Sequence, residues 1–126
     1  MDETILKESD LLESSHQLVV YAIGFYDGGS GFGRYGFPRL VKELSAGHGY
    51  GYNDKGINFW DELDEYDQTH EGRFDVECYL MDDSCKLTYA EFYHYMELAC
   101  ERYASRFPDS KEGLLSALDA YKERFL

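Results

Sequence analysis

The spacing of hydrophobic positions changes along this chain, and the changes mark its elements. From Leu11 to Tyr26, the residues Leu11, Leu12, Ser15, Leu18, Val19, Ala22, Ile23 and Tyr26 recur at helical intervals. Leu18 to Ile23 alone would also serve as a buried strand, but the whole run is too long for one strand, so a helix is expected. A glycine-rich segment, Gly24 to Gly36, follows. Phe37 to Ala46 reads as a short helix with Pro38 in its first turn and Gly47 just past its end. Gly47 to Gly56 reads as a second glycine-rich loop, Ile57 to Glu62 as a strand, and Asp61 to Glu71 as an acidic connection.

The period then drops to two. Phe74, Val76, Cys78 and Leu80 alternate with Arg73, Asp75, Glu77 and Tyr79, the pattern of a half-buried strand within Gly72 to Met81. Asp82-Asp83-Ser84 reads as a turn, and Cys85 to Leu87 as a short return strand. Thr88-Tyr89-Ala90-Glu91 is a capping box that opens a helix, with Tyr89, Phe92, Tyr93, Met96, Ala99, Cys100 and Tyr103 on its apolar stripe. Phe107-Pro108-Asp109-Ser110 breaks that helix. A last one carries Leu114, Leu118, Tyr121 and Phe125 on one face. The expected fold class is α+β, a small antiparallel sheet packed with N-terminal and C-terminal helices. A length of 126 residues suits one domain over residues 1–126, large enough to fold without a metal or disulfide staple.

Charge sharpens this picture. The net charge is −13, and it is unevenly spread. Residues 54–83 hold 11 acidic and 2 basic groups, whereas residues 84–126 hold 7 and 6. Such a balance speaks against direct nucleic-acid binding, which needs Lys and Arg for phosphate, and against an anionic membrane face. It favours a basic protein partner, since opposite fields steer association. No apolar run reaches the length of a membrane span, and Met1 to Glu13 has no apolar signal-peptide core, so a cytoplasmic location is expected. Cys78, Cys85 and Cys100 are odd in number and form no CxxC, which points to reduced thiols.

Several motifs invite chemistry and fall short of it. Gly31-Phe32-Gly33-Arg34-Tyr35-Gly36 matches GxGxxG, but a dinucleotide site needs those glycines directly after a strand and within a βαβ unit. Asp61, Asp64 and Asp67 do not fit a calcium loop, because the third, fifth and sixth positions counted from Asp61 are Leu63, Glu65 and Tyr66. His16, His48, His70 and His94 show no HxxxH or HExxH spacing. No GxSxG elbow is present. No metal, cofactor or catalytic residue is expected. The sequence Phe59-Trp60-Asp61-Glu62-Leu63-Asp64-Glu65-Tyr66-Asp67 remains. There Trp60, Asp61, Glu62, Asp64, Glu65, Tyr66 and Asp67 are the candidate partner-binding residues, aromatics as anchors and carboxylates for Arg and Lys. The bland alternative is a solvated turn with Phe59, Trp60 and Leu63 tucked into the core.

Three segments resemble a known family. They are Gly49-Tyr50-Gly51-Tyr52-Asn53-Asp54 running into Ile57-Asn58-Phe59-Trp60-Asp61, then Phe74 to Leu80 with its hairpin, then Leu87-Thr88-Tyr89-Ala90-Glu91-Phe92-Tyr93-His94-Tyr95-Met96 continuing through Ala99-Cys100-Glu101-Arg102-Tyr103 to Phe107-Pro108. Together they resemble the ribonuclease-toxin immunity proteins of bacterial contact-dependent growth inhibition (CDI) systems. Residues 1–46 share with that family only a helical character. The resemblance implies a non-enzymatic protein that binds the toxin domain of a cognate secreted effector in the cytoplasm. It carries over no interface residue. An acidic adaptor or nucleic-acid mimic that binds a basic host protein, and a small nucleotide-binding enzyme built on Gly31–Gly36, are the alternatives.

Overall fold

A computed structural model of the chain describes residues 4–24, 36–52, 54–70 and 72–126. Its elements are α1 (Leu18–Ile23), α2 (Gly36–Ser45), β1 (Tyr50–Tyr52), β2 (Lys55–Phe59), α3 (Glu65–His70), β3 (Val76–Leu80), β4 (Asp83–Leu87), α4 (Tyr89–Arg106) and α5 (Lys111–Phe125). The four strands form one antiparallel sheet in the order β1-β2-β3-β4. The α+β expectation holds, with helices toward both ends of the chain and the sheet between them.

The register explains the core. Ile57, Cys78 and Cys85 lie side by side on one face, as do Phe59, Val76 and Leu87, and all six are buried. α1 packs on β2, β3 and β4, α4 on β4, and α5 against both α2 and α4. Phe59 sits where these layers meet. It stacks on Phe125 at 5.3 Å between centroids and meets Phe92 edge-on at 6.1 Å. The opposite face carries Asn58, Glu77 and Lys86 in one row, and the Asn58 amide donates to Glu77 at 3.1 Å. Cys78, Cys85 and Cys100 are free and buried.

Local signals set the helix ends. Thr88 Oγ1 accepts from Glu91 N–H at 3.0 Å, and Glu91 Oε1 accepts from Thr88 N–H at 2.8 Å, which closes the capping box of α4. Gly47 takes φ +87° after α2. Its N–H bonds to Leu44 O and that of His48 to Glu43 O, so two otherwise orphaned carbonyls are satisfied.

Several expectations need correction. The strand expected over Ile57 to Glu62 runs Lys55–Phe59 and gives way to a 3-10 turn at Trp60, and the connection Asp61 to Glu71 holds helix α3. The N-terminal helix is shorter than its apolar pattern: Ser14–His16 is a 3-10 turn, and only Leu18–Ile23 is α-helical within the described part of that run. Leu12 N–H instead donates to the Tyr95 hydroxyl at 2.7 Å, so a bond to α4 replaces a helical one. Gly47 to Gly56 is not all loop, since it holds β1 and the start of β2. Gly51 and Gly56 lie beneath the Tyr79 hydroxyl, and a Cβ at either would come within 2.7 and 2.6 Å of that oxygen. At Gly56 a Cβ would also run into the Tyr50 carbonyl oxygen, so close backbone approach requires glycine there, whereas at Gly51 only the tip of the Tyr79 side chain would have to shift.

Candidate partner-binding surface

Charge counting along the chain treats residues 54–83 as one acidic window. Folding divides it between the two ends of the sheet. At one end the β1–β2 and β3–β4 turns lie side by side, with Met81 N–H bonded to Asp54 O at 2.6 Å. This end presents Asp54, Asp82 and Asp83, all exposed, around Met81, which is 74% exposed. Lys55 stands at the same end, opposite Leu80. Asp54 and Met81 both hold φ above +50°, so each turn is built on a left-handed residue. The other end lies roughly 16 Å away, the span of a five-residue strand.

At that far end Trp60 N–H donates to Asp75 O at 3.0 Å, one step past β2. The chain then makes a 3-10 turn over Trp60–Glu62 and enters α3. The seven candidate residues divide here by role. Trp60 is half-buried, edge-on to Phe74 at 5.3 Å and with the Arg73 guanidinium 4.9 Å from its ring centroid. Its carbonyl accepts from Gln68 Nε2 at 3.1 Å. Packing therefore fixes Trp60 in place as a support for α3. Glu62 Oε1 accepts the Gly49 N–H and pins the approach to β1. Asp64 Oδ1 accepts Asp67 N–H at 2.8 Å and so caps α3. Asp61 lies near the Tyr89 hydroxyl. Burial, with the Asp61 and Asp75 carboxylates behind it, pushes that hydroxyl up to about 12.

Glu65, Tyr66 and Asp67 occupy the first turn of α3 and are all exposed, Tyr66 at 68%. Acidic groups at this position suit the helix dipole. The sheet end thus presents one aromatic ring between two carboxylates, backed by Asp61, Glu62 and Asp64, which are also exposed. Set against this, Arg73 is the cation nearest the Trp60 ring, and it pairs with Asp75 at 3.4 Å. Phe59 is fully buried and Trp60 and Leu63 are half-buried, so the bland alternative describes these three residues.

The remaining candidates separate from this surface. Among the described residues, Asp61, Asp64 and Asp67 do not form a ligand cluster. Of the GxGxxG motif, residues 31–35 lie outside the described part, and Gly36 opens α2. The last element described before it is helix α1, and every strand pairing among the described residues is antiparallel. His48 is exposed beside Glu43 at 3.1 Å and His94 is exposed on α4, whereas His16 is 2% exposed. The His70 side chain lies outside what is described. No described helix is long and apolar enough to cross a membrane.

Comparison with known proteins decides the family. The family described as CDI immunity protein matches residues 18–118, from the start of α1 to the middle of α5. The chain belongs to the CDI immunity protein family. No curated protein and no solved structure matches it. The matched span begins well before Gly49, so α1 and α2 are part of the immunity-protein pattern that the sequence resemblance located only in the later segments. Family membership supports an immunity function for this chain, with a cognate toxin protein as partner.

Proposed function

We propose that this CDI immunity protein is a single, non-enzymatic domain that binds a cognate nuclease toxin in the cytoplasm and blocks it stoichiometrically, with the α3 end of the sheet as its contact surface. The observation that carries the proposal is Tyr66, exposed between Glu65 and Asp67 on a turn that Asp64 caps and Trp60 supports. Tyr offers apolar area with little conformational freedom to lose, which suits an interface anchor. Its flanking carboxylates match the Arg and Lys that a nuclease needs to hold phosphate. An acidic surface seated in that cleft would exclude RNA or DNA and need no chemistry of its own. Ribonuclease is the expected toxin class from the sequence resemblance.

The hairpin end is the rival surface. It carries fewer carboxylates, has Lys55 among them, and offers Met81 in place of an aromatic ring. The test is a titration against the toxin domain encoded beside this gene, with residual nuclease activity read in parallel. Tight one-to-one binding with loss of cleavage is the expected result. Absence of binding, with cleavage unaffected, would sink the proposal.

A further inference from the structure

We infer that Glu13, His16 and Glu91 form a binding site for a zinc-like divalent cation, at the junction between the N-terminal segment and the start of α4. One ligand atom from each of these residues lies within 4.8 Å of the other two. His16 Nε2 stands 3.4 Å from Glu13 Oε1 and 3.8 Å from Glu91 Oε2. Both distances are long for a hydrogen bond. They are close to the edge of a tetrahedral ligand set, roughly 3.3 Å for bonds of about 2.0–2.1 Å. Small rotations of the two carboxylates would close the set around one ion. A fourth position would be left for water.

Local structure brings the three together. Glu13 precedes the 3-10 turn Ser14–His16, and side chains three apart in such a turn eclipse. Glu91 reaches the same point because the capping box fixes its carboxylate. Oε1 is held by Thr88 N–H while Oε2 faces His16. Each ligand also has a partner that orients it, as metal sites require. Ser15 Oγ donates to Glu13 Oε1 at 2.7 Å, and His16 Nδ1 lies 2.8 Å from the Tyr95 hydroxyl oxygen. That oxygen accepts Leu12 N–H with one lone pair and has a second that can accept Nδ1–H, the tautomer that metal binding at Nε2 would select.

An acidic pair alone would be ordinary surface. The imidazole makes the difference, because His16 is 2% exposed and its Nε2 is aimed between the two carboxylates. Nitrogen with carboxylate oxygen favours zinc and its neighbours over magnesium or calcium. The ion would clamp residues 13–16 to α4, and it would neutralise charge on a strongly acidic chain.

The test uses the full chain at neutral pH, with thermal unfolding read in zinc or magnesium and visible absorption read in cobalt. One equivalent of zinc should raise the unfolding temperature where magnesium does not, and cobalt should give ligand-field bands. Glu13→Gln, at an exposed position, and Glu91→Gln, which keeps the capping oxygen, should each weaken zinc binding at least about tenfold. Their unfolding temperature without metal should stay near that of the parent chain. No zinc stabilisation and no cobalt bands would overturn the inference. So would stabilisation that magnesium matches, or that survives both substitutions.

Discussion

The two ends of the sheet are both acidic and differ in how many carboxylates the fold employs internally and in the apolar side chain they present. At the α3 end, Glu62 and Asp64 bind backbone N–H groups and Trp60 packs on Phe74, so a rigid base carries Tyr66 outward between Glu65 and Asp67. At the hairpin end, Asp54, Asp82 and Asp83 surround a flexible methionine on two tight turns, with Lys55 beside them. A pre-organised aromatic anchor costs less ordering on binding than a mobile thioether. Under the proposed function, acidic charge would steer a basic partner toward either end, and the supported tyrosine would distinguish them.

Substitutions can break this comparison in order of size. Phe59→Ala should cost about 3–5 kcal/mol, because its ring is fully buried between the sheet and α5. It should abolish toxin binding through unfolding, seen as a large fall in denaturation midpoint, and so weaken both ends together. Tyr66→Ala should leave that midpoint nearly unchanged yet weaken toxin binding by about 2 kcal/mol, roughly thirtyfold, in a calorimetric titration. Asp64→Ala should destabilise by about 1 kcal/mol through loss of the α3 cap, with a smaller loss of affinity as the turn under Tyr66 loosens. Met81→Ala at the rival end should change affinity less than about threefold.

The smallest effect on toxin affinity lies away from both ends. Arg102 holds the Asp10 carboxyl below the ordinary carboxylate value by a two-pronged bond, with Nη2 2.8 Å from Oδ1. A lowered folded value means that Asp10 contributes stability in full above the unfolded carboxylate value, and that this is lost as pH falls through the folded one. Asp10→Asn should therefore be less stable than the parent at neutral pH. The gap should close toward strongly acid pH in denaturation curves, and toxin affinity should not change.

Much of this architecture was legible because its signals are local. Thr88 and Glu91 announce α4, Pro38 and Gly47 bracket α2, and the alternation from Phe74 to Leu80 marks β3. The turn between β3 and β4 proved to be Met81–Asp82, one step earlier than the acidic triplet suggested. What escaped depends on distant partners. Strand pairing turns Gly51 and Gly56 from apparent loop residues into sheet residues, and Tyr95 takes the Leu12 N–H out of a helix. The division of the acidic window depends on strand direction, which a charge count ignores. The Glu13–His16 pair hid for the same reason, since Glu91 joins it only through the fold.

In the proposed complex Tyr66, Glu65 and Asp67 meet the toxin. The most direct test is a titration of the toxin domain with the parent chain, with Tyr66→Ala/Glu65→Lys/Asp67→Lys, and with Asp54→Lys/Asp82→Lys/Asp83→Lys, cleavage being followed in each. The α3 variant should lose at least about a hundredfold in affinity and no longer protect substrate, while the hairpin variant should still protect it. Full protection by the α3 variant, with protection lost in the hairpin variant, would contradict this and move the interface to the other end of the sheet.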